Sequence, residues 1–531
     1  MYQQIFDPVA HSLSWSALFA ALPLLTLFVL LGVLRWKAYW AALTSLAVSL
    51  LIAVAVYGMP LGQSLAGAAE GGAVGFFPIL WVGINAIWLY KLTEVSGHSL
   101  TLRRVFDSVS PDLRIQVILI AFCFGSLLEG LAGGGSPVAI CTVMLVALGV
   151  EPVKAAVVCL IADTTPVAFG ALALPINTLS KLTGLPVASL SAMIGRQTPL
   201  LAFVVPFILV YILDGKRGIR RLWPFALTAG LSFGACHFLG SMILPPELVD
   251  IVAAMATSGL CMGLLRWWSP AKTLHPLDPS PDRRVSGTEL MYAALPYLSV
   301  VMIVALAQVG VIRDLLAKTT STFAWPGLTV TGPDGALVTA VTAKFEWLAS
   351  PGSLILIAGA LVAPVLGLRL KTLIQTYAET LYGLRWAVVT VSAVVGLAYV
   401  MNLSGQIITL GIWAAGAGGA FAAISPVIGW LGAAVTGSDT SSNALFGMLQ
   451  VTTARHAGLS EILLAAANTT GGVCGKAISP QNLSIAAVAV GMTGREGDLF
   501  RQVFGWTVLL IALLSLLVFL QSTPLLSWMV P

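Results

Sequence analysis

The sequence predicts an all-α polytopic membrane protein of about 12 transmembrane helices plus two re-entrant hairpins, arranged as an inverted repeat. Three observations predict it: an apolar composition with little charge, a series of apolar runs long enough to cross a bilayer, and two broken apolar regions that match at one fixed offset. Of the 531 residues, 58% are hydrophobic and only 9% are charged. A soluble domain carries about 25% charged residues, so the chain has too little charge to cover a water-exposed surface of its size. The same balance excludes disorder, which needs low hydrophobicity and high net charge. The net charge of +5 is modest and points to no nucleic-acid partner.

A span needs about 20 apolar residues. The first run, 15–34, is long and has no Lys or Arg before Arg35, so it reads as a spanning helix and not as a cleaved signal. Further spans are expected at 38–57, 66–90, 198–213, 222–244, 248–266, 290–310, 350–368, 385–403 and 502–520. Two regions, 115–176 and 421–482, are equally apolar but interrupted by Gly, Pro, Ser, Thr, Asp and Asn. Irregular backbone at membrane depth is tolerated only where protein buries it or it lines a cavity. Function is therefore expected in these two regions.

The two regions are related. An offset of 305 residues carries Asp163-Thr164-Thr165 onto Asn468-Thr469-Thr470, Gly170 onto Gly475, Pro175 onto Pro480 and Asn177 onto Asn482. Upstream it carries Gly133-Gly134-Gly135-Ser136-Pro137 onto Ser438-Asp439-Thr440-Ser441-Ser442. The chain then divides into N-terminal scaffold helices (1–65), a first repeat (66–213) with hairpin 115–150 and broken helix 154–176, and central helices (214–368) with an exterior loop 311–349. A second repeat (385–520) follows, with hairpin 421–455 and broken helix 459–482. The central helices near 222–310 serve as scaffold or as a dimer contact. Residues 269–287, rich in Pro and Asp, read as a flexible interior linker. With the N-terminus outside, most of the 27 basic residues fall on the cytoplasmic side, among them Arg103, Arg104, Arg220, Arg221, Arg283 and Arg284. The two repeats then run in opposite orientations.

Inverted repeats with broken helices are the architecture of secondary transporters. Unwinding a helix exposes backbone N–H groups where the dipole favours an anion. The candidate substrate residues are Gly134, Gly135 and Ser136 in the first hairpin, Thr164 and Thr165 in the first broken helix, and Ser438, Thr440, Ser441, Ser442 and Asn443 in the second hairpin. Asn468, Thr469 and Thr470 complete the set in the second broken helix, each expected at an unwound middle. Small residues also permit close helix packing, which is the competing reading. Ionisable groups at membrane depth are costly and by default functional. Lys476 is expected to hold a substrate carboxylate or to neutralise Asp439. Asp439 is the favoured proton carrier, Glu129 the reserve and Asp163 a third candidate. Glu70 reads as an interface residue, and His237 as a satisfied core histidine. The six cysteines are isolated, without a C-x-x-C pair, and the five histidines show no metal or nucleophile spacing. No disulfide, metal, cofactor or enzymatic activity is expected.

Phe122-Cys123-Phe124-Gly125, Leu128-Glu129-Gly130, Pro137-Val138-Ala139-Ile140, Pro166-Val167-Ala168-Phe169-Gly170 and Gly195-Arg196-Gln197 resemble the bacterial L-lactate permease family. The second half resembles it more closely, at Gly429-Trp430-Leu431-Gly432, the run from Thr436 to Phe446, the run from Ala466 to Val473, and Lys476-Ala477-Ile478-Ser479-Pro480-Gln481. The resemblance covers nearly the whole chain, from Phe6-Asp7-Pro8 to Trp528-Met529-Val530-Pro531. It implies proton-coupled uptake of lactate, glycolate or other small 2-hydroxy acids across the bacterial inner membrane. The partners would be a small carboxylate anion, a proton and membrane lipid. Two departures stand beside the expected site: Asp163 replaces an expected Asn, and Gly133-Gly134-Gly135-Ser136-Pro137 lacks an expected Phe and an Ala before the Pro. A sodium-coupled carboxylate transporter is the nearest alternative, an anion channel a more distant one.

Overall fold

The structure is a computed structural model that describes residues 2–34, 36–97, 110–131, 133, 135–270, 287–307, 309–333, 335, 342–492 and 495–531. It is mostly helical. In chain order the helices are α1 (Leu13–Phe28), α2 (Ala38–Ala55), α3 (Leu61–Val74), α4 (Trp81–Val95), α5 (Leu113–Leu131), α6 (Ser136–Ala147), α7 (Pro152–Ala162), α8 (Gly170–Thr183), α9 (Val187–Ile243) and α10 (Pro246–Leu264). They continue as α11 (Gly287–Ala307), α12 (Gly310–Ala317), α13 (Pro351–Val362), α14 (Leu370–Ser404), α15 (Gln406–Ala414), α16 (Phe421–Thr436), α17 (Asp439–Ala457), α18 (Glu461–Lys476), α19 (Pro480–Ala489) and α20 (Glu496–Gln521).

Among the described residues nine helices are long and apolar enough to cross a membrane, or ten when the bent pair from Pro152 to Thr183 counts as one span. These helices do not match the twelve expected spans one to one, because helices run on where loops were anticipated. The clearest case is α9, 57 residues that cover both 198–213 and 222–244. At 1.5 Å per residue it would measure about 85 Å, against a hydrocarbon core of about 30 Å. Gly215 breaks it, with a φ of 58° that residues other than glycine rarely adopt.

The stretch expected as an exterior loop, 311–349, holds α12 and short strands. Strand β1 (Tyr2–Gln3) pairs in parallel with β3 (Val330–Thr331), and β2 (Ser321–Ala324) pairs antiparallel with β4 (Thr342–Phe345). The Tyr2 hydroxyl donates to the carbonyl oxygens of Tyr57 and Ser404, at 3.0 and 2.9 Å, so the N-terminus is tied to the ends of α2 and α14. Most of the expected linker 269–287 lies outside the described residues.

Two packing groups position the site. Helix α14 lies against α2 and α3, and α4 against α13. In the other group α16, α17 and α18 pack on one another and on α9 and α20. Glu70, read from sequence as an interface residue, is buried on α3. The six cysteines are free thiols, five of them buried.

The α16–α18 contact is made backbone to backbone. A Cβ placed on Gly471 would overlap the Pro426 carbonyl, and one on Gly475 the Trp430 carbonyl. This Gly-x-x-x-Gly spacing puts both glycines on one face, the arrangement by which membrane helices approach closely without a hydrophobic driving force. Gly471→Val is therefore expected to cost at least about 1–3 kcal/mol, the usual cost of overpacking. Its lowered melting temperature and broadened size-exclusion profile in detergent would register the loss; a parental melting curve would contradict the close contact.

Candidate functional site

The first broken helix forms as its residues dictate. Pro152 opens α7 at a position where a missing N–H costs nothing. The helix ends at Ala162, before the turn Asp163–Pro166, because Pro166 has no N–H to donate and disfavours helical geometry in the residue before it. A short 3₁₀ turn, Val167–Phe169, leads into Gly170. Ala171, Leu172 and Ala173 then adopt left-handed φ angles of 45°, 57° and 57°. Such residues cost about 1–2 kcal/mol each and concentrate at functional sites. The pair α7–α8 is bent by 61°.

The second repeat differs. Its expected unwound middle at Asn468–Gly472 is absent, because α18 runs unbroken from Glu461 to Lys476. Ser460 caps its start by accepting from the Leu463 N–H, and the interruption comes at Ala477–Ser479. Ser479 then caps α19 by accepting from the Asn482 N–H at 3.3 Å. The physical reason is local: no proline falls between Ser460 and Ser479, whereas Pro166 interrupts the first copy.

The hairpins carry the remaining candidates. In the first, α5 and α6 join at a turn where Gly135 has a φ of 85° and faces Asn482 of α19. Gly134 lies outside the described residues, and Ser136 opens α6. In the second, α16 and α17 run antiparallel: Ser425 donates to Gln450 Oε1 at 2.8 Å and Ser442 to the Gly429 carbonyl at 3.0 Å. Ser438 caps α17 by accepting from the Ser441 N–H. Thr440 and Ser441 are buried in its first turn.

Lys476 is the meeting point. Its Nζ lies 2.5 Å from Glu129 Oε1, at the end of α5, and 3.1 Å from Asp163 Oδ2, at the α7 break. All three side chains are buried. The expected Lys476–Asp439 pair is absent among the described contacts: Asp439 opens α17 and lies against α18 at Gly472, where an added Cβ would overlap its Oδ1. Gly472 is one helical turn before Lys476, on the same face. Neither Asp439 oxygen has a hydrogen-bond partner among the described residues, and Glu129 Oε2 and the Thr165 hydroxyl have none either. Thr164, by contrast, donates to the Ile161 carbonyl at 2.7 Å and stays on its own helix.

Four of the candidates form a seam between helices. Asn468 Nδ2 and the Thr469 hydroxyl both donate to Asn443 Oδ1, at 2.9 and 3.1 Å, and Asn443 Nδ2 donates to the Pro175 carbonyl of α8. Thr470 donates to Gln197 Oε1 at 2.7 Å, and Gln197 Nε2 donates to Gln521 Oε1 at 3.1 Å. These groups fix the helices to one another. Gln197, Gln450 and Asn482 were not singled out as site residues from sequence; the 305-residue match of Asn482 with Asn177 was the available signal. His237 is hydrogen-bonded to Thr198 and Asp250, as a satisfied core histidine should be. Among the described residues no group of three or more His, Cys, Asp or Glu is placed to hold a metal ion.

A multi-pass helical protein with a buried cation shared by two acids at breaks in its apolar helices has the makings of a membrane transporter. The chain belongs to the L-lactate permease family, whose model matches residues 16–525. It is 37% identical over 567 residues to the L-lactate permease of Bacillus subtilis strain 168, covering all of both chains. It is 39% identical over 550 residues to the glycolate permease GlcA of Escherichia coli K12, covering 98% of each, and 37% identical to the L-lactate permease of the same strain, covering all of each. Among solved structures, the YdaH transporter of Alcanivorax borkumensis matches 96% of this chain and 98% of its own, at 14% identity and a TM-score of 0.39. The protein is a multi-pass transporter of the inner membrane.

Proposed function

We propose that the chain carries L-lactate and related small 2-hydroxy monocarboxylates, D-lactate and glycolate among them, by proton symport. One observation carries the coupling: Lys476, the cation at the centre of the site, is held by two carboxylates, Glu129 and Asp163. A substrate carboxylate must compete with them for it. A proton on Glu129 neutralises that rival and frees one side of the ammonium for the incoming anion, a charge-assisted contact of the stronger kind. Proton and lactate then cross together as a neutral pair, which removes a cost of about 2.3 kcal/mol per 100 mV of interior-negative potential.

Glu129 takes the role expected of Asp439 because it makes the shorter contact and Asp439 makes none with the cation. The unpartnered Thr165 hydroxyl beside Asp163 supports recognition of the substrate 2-hydroxyl. In this reading both hairpins, the broken pair α7–α8 and α18 bear the substrate, and residues 1–65 and 214–368 form the scaffold. A crevice of about 420 Å³, lined by Lys181, Tyr399, Ala444, Met448 and Arg455, offers an approach beside α17 on the side expected to be exterior.

Uptake of labelled L-lactate into proteoliposomes tests the substrate class. Unlabelled D-lactate and glycolate should compete at concentrations within about tenfold of L-lactate itself, whereas acetate, which lacks the hydroxyl, should need well over tenfold more. Acetate competing as well as glycolate would contradict recognition of the hydroxyl.

A further inference from the structure

Asp250 and His237 form a second buried polar group beside the Lys476 cluster, and the symport cycle assigns them nothing. His237 Nε2 and Asp250 Oδ1 are 2.8 Å apart, with both side chains fully buried. The ring packs against Phe233 and Phe169, at centroid distances of 4.4 and 5.1 Å. Asp250 Oδ2 has no hydrogen-bond partner among the described residues. It faces the place where α10 crosses α5: a Cβ on Gly130 would lie 2.8 Å from Asp250 Cβ and 3.6 Å from Oδ2. Gly130 follows Glu129, whose Oε2 is likewise unpartnered. The α5 backbone at Gly130, next to Glu129 in sequence, is where α10 presents Asp250.

Both ring nitrogens of His237 have hydrogen-bond partners. The Thr198 hydroxyl lies 3.0 Å from His237 Nδ1 and 3.1 Å from the Ile194 carbonyl. With a neutral ring, Nε2–H donates to Asp250 and the hydroxyl donates to Nδ1. With a charged ring, Nδ1–H donates to the hydroxyl, which turns to Ile194. Both arrangements keep the two ring nitrogens and the Thr198 hydroxyl paired.

The pair also has an outlet. Glu247 precedes Asp250 by three residues and so shares its face of α10. It lines a crevice of about 430 Å³ together with Arg313, Lys344 and Glu346, on the side expected to be exterior. Asn177 Nδ2 of α8 donates to Glu247 Oε1 at 3.0 Å. The titratable groups facing Asp250 are Glu129 from α5, Asp163 from the α7 break, His237 from α9 and Lys476 from α18. Glu247 and Cys261 lie on α10 itself, with Cys123 of α5 opposite Cys261.

We propose that Glu247, Asp250 and His237 are a proton-entry relay that delivers the coupling proton from the crevice to Glu129, apart from the path of the substrate. The proton passes from the Glu247 carboxyl to the Asp250–His237 pair, and from there to a Glu129 oxygen, leaving Asp250 ionised and Glu129 neutral. The proposal rests on the proton-symport reading.

The test compares Asp250→Asn, Glu247→Gln and His237→Asn with the parent in proteoliposomes, measuring accumulation of labelled L-lactate under a pH gradient and lactate-for-lactate exchange. Asp250→Asn should slow proton-driven accumulation by tenfold or more while exchange stays within about twofold, and Glu247→Gln should slow accumulation severalfold. His237→Asn should shift the pH profile of accumulation without matching loss of exchange. Parental accumulation and pH profile in both Asp250→Asn and Glu247→Gln would overturn the relay and leave symport standing. Should Asp250→Asn fail to fold, Glu247→Gln decides alone, because its site is at the crevice. A parent that accumulates lactate only with a sodium gradient would overturn the relay together with the symport reading.

Discussion

Lys476→Gln should weaken lactate binding by at least about 30-fold, since removing one member of a buried, hydrogen-bonded charge pair costs about 2–5 kcal/mol. Titration of detergent-purified protein with L-lactate measures it. The substitution also leaves Glu129 and Asp163 without their shared cation, which destabilises the fold. The double variant Asp163→Asn/Lys476→Gln removes one of the two stranded charges and should recover folded yield without recovering binding. If Lys476→Gln binds lactate as tightly as the parent, the cation serves packing alone and the site lies elsewhere.

Glu129→Gln should uncouple transport. Glutamine imitates the protonated acid, so Lys476 stays available to lactate at any pH. Accumulation under an imposed pH gradient should be lost while lactate-for-lactate exchange continues. The sign of the pH effect follows from linkage. The parent takes up a proton with each lactate, so its affinity rises as pH falls, by about tenfold per unit over the range in which free Glu129 is ionised. In Glu129→Gln that slope should flatten. A variant that still accumulates lactate uphill with the parental pH profile would return the proton to Asp439.

Much of this was legible in the sequence, and the misses have physical causes. The missing charge identified a membrane protein, and the Gly, Pro, Thr and Asn interruptions marked both regions that meet at Lys476. Pro166 made the first break visible in the residues alone. The second was misplaced at Asn468–Gly472: those small polar residues suit an unwound segment and a tightly packed helix equally well, and only the α16 backbone lying against Gly471 and Gly475 separates the two. Pairing was the least legible feature. Lys476 and Asp439 are near in sequence, but the short contact joins Lys476 to Glu129, 347 residues away. The hydrogen bonds by which Asn443, Asn468 and Thr470 join neighbouring helices were equally illegible in the sequence. Asp250 carries no legible signal in the sequence because acids in the first turns of a helix are ordinary.

The most direct measurement is uptake of labelled L-lactate into proteoliposomes at zero membrane potential, with either a proton or a sodium gradient imposed. Proton symport through Glu129 and Lys476 predicts accumulation above the outside concentration when the outside is acidic, with or without sodium. Accumulation that requires a sodium gradient, or lactate that only runs down its own gradient, would contradict it.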